Sequence, residues 1–278
     1  MSTPEVSSST VPEPPVGGPA AAAGAPGEPA RRGSPKARAM TRAAVRHAAP
    51  FLLWIGAMLA GQLFHLVPSS ATEEAASVDL LSDAGLYAVQ TALCLGALLL
   101  LRPWRPHPGA FRPAHVLPAL AVGAAVFAVW ALPGAEFWQG LLPWGGGRDL
   151  AKAAAEAEAR YAPAATGWPL FLVHLLGTGV AIAFAEEFFW RAYLLRAVRT
   201  PDFLDIPVGT FHAPSFLAVA AVFAAEHGSL AVPGRLAGLA YGLLFIRTRD
   251  VWAACLAHAA TNLALGAYVL ATGHWEFW

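Results

Sequence analysis

Glu186, Glu187 and Arg191 interrupt a run of membrane length that is otherwise apolar, Gly167–Leu195 (GWPLFLVHLLGTGVAIAFAEEFFWRAYLL). A charge at the centre of a bilayer costs about 2.5–3.5 kcal/mol on the insertion scale. Three charges within little more than one helical turn cannot face lipid. They must face a polar cavity or one another, which makes this segment the default functional site. The chain around it reads the same way. It is 56% hydrophobic and 13% charged, with a mean hydropathy of +0.50, where a soluble domain carries about a quarter charged residues. The predicted class is all-α: a polytopic membrane bundle of about seven to eight transmembrane helices with a cavity inside the membrane.

The net charge is zero and the basic residues lie in separate short clusters, which argues against a nucleic-acid partner. Cys94 and Cys255 both fall in apolar segments without CxxC spacing, so they read as small buried hydrophobes. HExxH, GxSxG and Walker A patterns are absent, and the corresponding soluble enzyme classes go with them.

Three regions follow from composition. Residues 1–40 are rich in Pro, Ala and Gly and form a tail that cannot bury enough surface to fold. Residues 41–166 hold the first transmembrane helices and a loop, and residues 167–273 hold the polar constellation. Spans are predicted at Ala48–Val67, Gly85–Leu101, Ala114–Leu132, Trp168–Leu195, Pro214–His227, Pro233–Ile246 and Val251–Thr272. The fifth and sixth are short of the 20 or so residues a crossing needs. Asp149–Tyr161, alanine-rich with interspersed charges, reads as a helix outside the hydrocarbon. Arginines and lysines before the first span, and Arg196, Arg199, Arg247 and Arg249 after the fourth and sixth, place the N-terminus in the cytoplasm.

Within the last region the spacing is informative. Glu187 and Arg191, at i and i+4, share a helix face, and Glu186 points about 100° away. Phe223 and His227 end the fifth span, with Glu226 beside the histidine as a competing acid or base. His258 and Asn262 share a stripe of the last span, and Gly238-x-x-x-Gly242 lets two backbones approach closely. Each has a plainer reading. The charges could only lock helix packing, His227 could be a cap, and the His258–Asn262 stripe could be interhelical glue worth about 0.6 kcal/mol. His65 and His174 have no partner at helical spacing and read as interhelical donors. Depth favours a shared site. At 1.5 Å per residue, Glu186 lies about 15 Å from Arg196, His258 about 12 Å from Asp250 and His227 about 20 Å from Pro214.

The motifs EEFFWR, FAAEH and HAATN, in this order and spacing, resemble those of the CPBP family of intramembrane proteases, also called ABI, which includes the CAAX-processing endopeptidases. The family patterns EExxxR, FxxxH and HxxxN/D are all intact over about Trp168–Thr272. The segment AVGAAVFAVWALP is similar to the subgroup found with bacterial exosortase systems. The resemblance implies an intramembrane endopeptidase that hydrolyses a peptide bond of a membrane-associated protein or peptide. Carried onto this chain, Glu186 and His227 activate water, His258 and Asn262 stabilise the oxyanion, and Glu187, Arg191 and Phe223 support the site. A metal-independent reaction is expected, without a cofactor. The alternatives are a Zn²⁺-dependent protease of the same fold, with Glu186, His227 and His258 as ligands, and a non-catalytic immunity or scaffold protein. The expected setting is a bacterial plasma membrane. The lipid bilayer and a membrane protein or peptide substrate are the expected partners, with an exosortase-type system as a further one.

Overall fold

The computed structural model describes residues 33–65, 83–105, 107, 112–141 and 148–278. The expected tail up to residue 32, residues 66–82 and 142–147 and the side chain of His65 lie outside the described residues. Among the described residues all regular structure is helical. The helices are α1 (Pro35–His65), α2 (Asp83–Leu101), α3 (Val116–Ala131), α4 (Ala135–Gly140), α5 (Leu150–Tyr161), α6 (Pro163–Ala197), α7 (Ala213–Ala225), α8 (Ala231–Thr248) and α9 (Val251–Thr272).

Each of the seven expected spans is a helix, and α1, α3, α6, α8 and α9 are long and apolar enough to cross a membrane. Two expectations need correction. The helix after α7 is full length: the spanning stretch runs Gly228–Thr248, because the short turn Gly228–Leu230 feeds straight into α8. Of that pair only α7, with 13 residues, stays short. At the other end, α1 begins at Pro35 and takes residues 35–40 out of the expected tail. Lys36 at its start is held by Asp202 at 3.0 Å and Asp205 at 2.7 Å.

Local chemistry explains the boundaries. Asp149 caps α5 by accepting from Lys152 N at 3.0 Å, and Asp250 caps α9 by accepting from Trp252 N at 3.0 Å, each satisfying an otherwise orphaned amide. α5 is too short to cross a bilayer and buries Ala153 and Ala157 against α6 and the C-terminal turn. The centre of the bundle is α9. Its Ala253, Ala254, Cys255 and Ala257 are fully buried among α3, α6 and α8. Small residues allow this. A Cβ on Gly123 of α3 would come within 2.7 Å of Ala257 O, so only glycine lets α3 lie this close to α9. Cys94 and Cys255 are free and buried, as expected.

α6 departs most from a plain helix. It kinks at Gly167, where φ is 79°. Two π-helical stretches, Gly177–Ile182 and Phe188–Leu194, then flank the α-helical Ala183–Glu187. Such wide turns are rare and recur at functional sites. Here they bracket the two glutamates.

Candidate active site

Glu187 is the hub. It is fully buried, and its Oε1 accepts from Arg191 Nη1 at 2.8 Å and from His258 Nδ1 at 2.9 Å. The first bond is the i, i+4 pair expected from spacing; the second joins α6 to α9. The depth estimates agree with this meeting, since Glu187 lies about 14 Å along α6 from Arg196 and His258 about 12 Å along α9 from Asp250.

Arg191 is clamped on every side. Its Nη2 donates to Gly238 O at 3.2 Å, and its guanidinium lies 4.6 Å from the Phe223 ring centroid and 5.6 Å from that of Tyr241. A buried cation held by a carboxylate, a carbonyl and two ring faces meets the condition under which an ion pair can sit inside a membrane. Phe223, 1% exposed, therefore supports the site through its ring. It also lies between the two histidines, 4.8 Å from His227 and 6.1 Å from His258.

The hydrogen bonds fix the tautomers. An ionised carboxylate only accepts, so His258 donates to Glu187 through Nδ1–H, leaving Nε2 for another partner. His227 likewise places Nδ1 at 2.7 Å from Phe223 O, so Nδ1 carries the hydrogen and a neutral ring keeps a lone pair on Nε2. Glu186 is the counterpart. Its Oε2 is buried with no hydrogen-bond partner, and Glu187 Oε2 shares that state. Asn262 spends one amide hydrogen on Thr178 O at 2.9 Å and retains a second.

The structure thus brings Glu187, Arg191, His258 and Phe223 into direct contact. It sets Glu186, His227 and Asn262 around them, and no hydrogen bond joins those three to one another among the described residues. The proposed zinc ligands Glu186, His227 and His258 do not form a metal-type cluster. Among the described residues no group of three or more His, Cys, Asp or Glu side chains is arranged to hold a metal ion. Glu226 is exposed beside His227 and within electrostatic reach of Arg191 and Glu187.

Several contributors escaped the sequence reading. Tyr241 stacks on His258 with centroids 4.8 Å apart and donates to Thr261 Oγ1 at 2.7 Å, fixing the plane of the imidazole. Gly234 gives His227 its place, since a Cβ there would come within 2.9 Å of His227 Cγ. Gly238 both accepts from Arg191 and clears room for Phe223, which would lie 3.1 Å from a Cβ. The periodic glycines of α8 were the visible signal; what they accommodate was not. His174 has a structural place, but as an acceptor rather than the expected donor: it is buried, stacked on Tyr161 at 3.9 Å, and accepts from Trp278 Nε1.

No solved structure matches the chain. Residues 168–264 match the family model described as type II CAAX prenyl endopeptidase Rce1-like. That segment holds all three motifs, from the glutamate pair on α6 to Asn262 on α9. Over that segment the chain is similar to the Rce1-like CAAX prenyl endopeptidases, and its long apolar helices mark it as an integral membrane protein.

Proposed function

We propose that the chain is an intramembrane endopeptidase in which Glu186 and His227 activate the attacking water and His258 and Asn262 hold the oxyanion. The observation that carries this reading is the unpartnered, buried Oε2 of Glu186 beside a neighbour, Glu187, already committed to Arg191 and His258. One carboxylate is tied down and the other is left for chemistry. Amide hydrolysis needs a base for water, a proton donor for the leaving amine and donors aimed at the developing negative oxygen. Glu186 removes the proton, His227 Nε2 shares the water, and the two pass a proton on to the amine. His258, tied to Glu187 through Nδ1, serves as a donor through Nε2 in its doubly protonated form. The free amide hydrogen of Asn262 supplies the second donor.

The reaction is proposed to run without a metal. The substrate is a membrane-associated protein or peptide in a bacterial plasma membrane, with the arginine-bearing ends of α6 and α8 in the cytoplasm. The AVGAAVFAVWALP segment supports an exosortase-type system as the setting.

Glu186→Gln tests the assignment. It preserves volume and removes the base, so proteolysis in detergent should fall by roughly 100-fold or more while the thermal transition stays in place. Activity near wild type would overturn the role of Glu186. Treatment with a chelator should leave activity unchanged. Loss restored by stoichiometric Zn²⁺, with metal found in the purified protein, would replace this mechanism by a metal-dependent one.

A further inference from the structure

Asn262 is not enclosed by protein on every side. It forms part of the wall of a cavity of about 120 Å³ between α6, α9 and the C-terminal turn, with Thr178, Leu265, Gly266, Phe277 and Trp278. Apart from Asn262, Thr178 and the ring of His174, the lining is apolar. Resting on the reading of Asn262 as an oxyanion donor, we infer that this cavity is a specificity subsite. It takes the branched aliphatic side chain of the substrate residue whose carbonyl is attacked.

The geometry leads there in three steps. An oxygen held by the free Asn262 amide hydrogen lies one bond from its own carbonyl carbon and three bonds from that residue's Cβ. The side chain then has the cavity beside it. The volume sets the size, since an apolar cavity of about 150 Å³ accepts a benzene ring. A smaller one accepts a valine or leucine side chain and excludes indole. Finally, Gly266 sets the depth. A Cβ there would lie 2.4 Å from Leu175 Cδ1 and 2.7 Å from Trp278 Cη2, so any side chain at 266 pushes Leu175 and Trp278 towards the open space. Phe277 and Trp278 are placed by the turn after α9, where Gly273 with φ 77° reverses the chain and Trp275 is buried against the bundle. Trp278 is pinned by its bond to His174.

The test uses full-length protein in detergent micelles and a series of N-acetyl amino-acid trifluoromethyl ketones. Their hydrates mimic the tetrahedral intermediate without needing a known substrate. Binding is read from the shift in thermal unfolding with ligand concentration. The valyl and leucyl compounds should bind roughly 10-fold or more tighter than the glycyl and tryptophanyl ones. Gly266→Ala should erase the advantage of the leucyl compound while leaving the glycyl one unchanged, and Phe277→Ala should admit the tryptophanyl one. Asn262→Ala should weaken the whole series together. Binding without preference for side-chain size, or a preference that neither Gly266→Ala nor Phe277→Ala moves, overturns the subsite and leaves the proposed reaction standing. Failure of every compound to bind wild-type protein overturns both.

Discussion

One oxygen of Glu187 carries two donors, Arg191 and His258, and this division of labour gives the adjacent glutamates different fates. Removing either partner leaves an uncompensated charge inside the bundle, at a cost of about 3–5 kcal/mol. Glu187→Ala and Arg191→Ala should therefore each lower thermal stability, and the double variant should lose clearly less than the sum of the two. Additive losses in a double-mutant cycle would show that the two side chains are not coupled. The pair was legible because i and i+4 share a helix face whatever the tertiary fold. The bond to His258 was not, because it joins residues on two helices and depends on which helices meet. Matching depths along α6 and α9 narrowed the options, and only the close packing of α9 selected among them. The tautomers of His227 and His258 were equally hidden, since each is set by the partner of Nδ1.

At the level of elements, α7 and α8 form one unit in which side chains of the first fill gaps left by the second. Phe216, Phe223 and His227 lie against Gly242, Gly238 and Gly234 in turn. The stripe was visible as spacing, but its use beside His227 was not, because a glycine says nothing of what fills its place. Position 234 separates packing from chemistry. Gly234→Ala would push on the backbone end of the His227 side chain, with a Cβ 2.9 Å from Cγ. Proteolysis should drop by at least roughly 10-fold, as expected when a reacting group is displaced, with a stability loss of about 1–3 kcal/mol. Gly242→Ala, which meets Phe216 Cε2 at 2.7 Å, should show a similar stability loss with activity per folded molecule unchanged. Equal activity losses in the two variants would show that the stripe acts only through packing. The π-helical stretches of α6 were beyond the reach of periodicity, since each alters the rotation by less than one residue.

For the whole molecule, a clasp holds α1 to the rest of the bundle near the arginine-bearing ends. His47 Nε2 and His107 Nε2 lie 2.7 Å apart, and His47 Nδ1 is 2.6 Å from Ala43 O. His47 thus donates through Nδ1 and accepts from His107, so a further proton would set two hydrogens between the facing nitrogens. Burial, with His47 and Arg196 nearby, holds His107 down at about 3, below its ordinary value of 6.5. The unfolded chain then takes up the proton first as pH falls, so stability is complete above about pH 6.5 and is lost progressively towards pH 3. Between pH 7.5 and 5.5 the loss should be about 1 kcal/mol. His107→Gln, which keeps a donor for His47, should remove that part of the acid sensitivity in thermal scans. An unchanged pH profile in the variant would exonerate the clasp. The two bonds on Glu187 also have a consequence for biogenesis. Its pairing with Arg191 lies within one helix, so α6 can enter the bilayer with those two charges already matched. Its pairing with His258 waits for α9, which leaves the ribosome after α6. Until then the proposed hydrolytic centre lacks one of its walls, so under the proposed function the nascent protein crosses the insertion machinery in an inactive form.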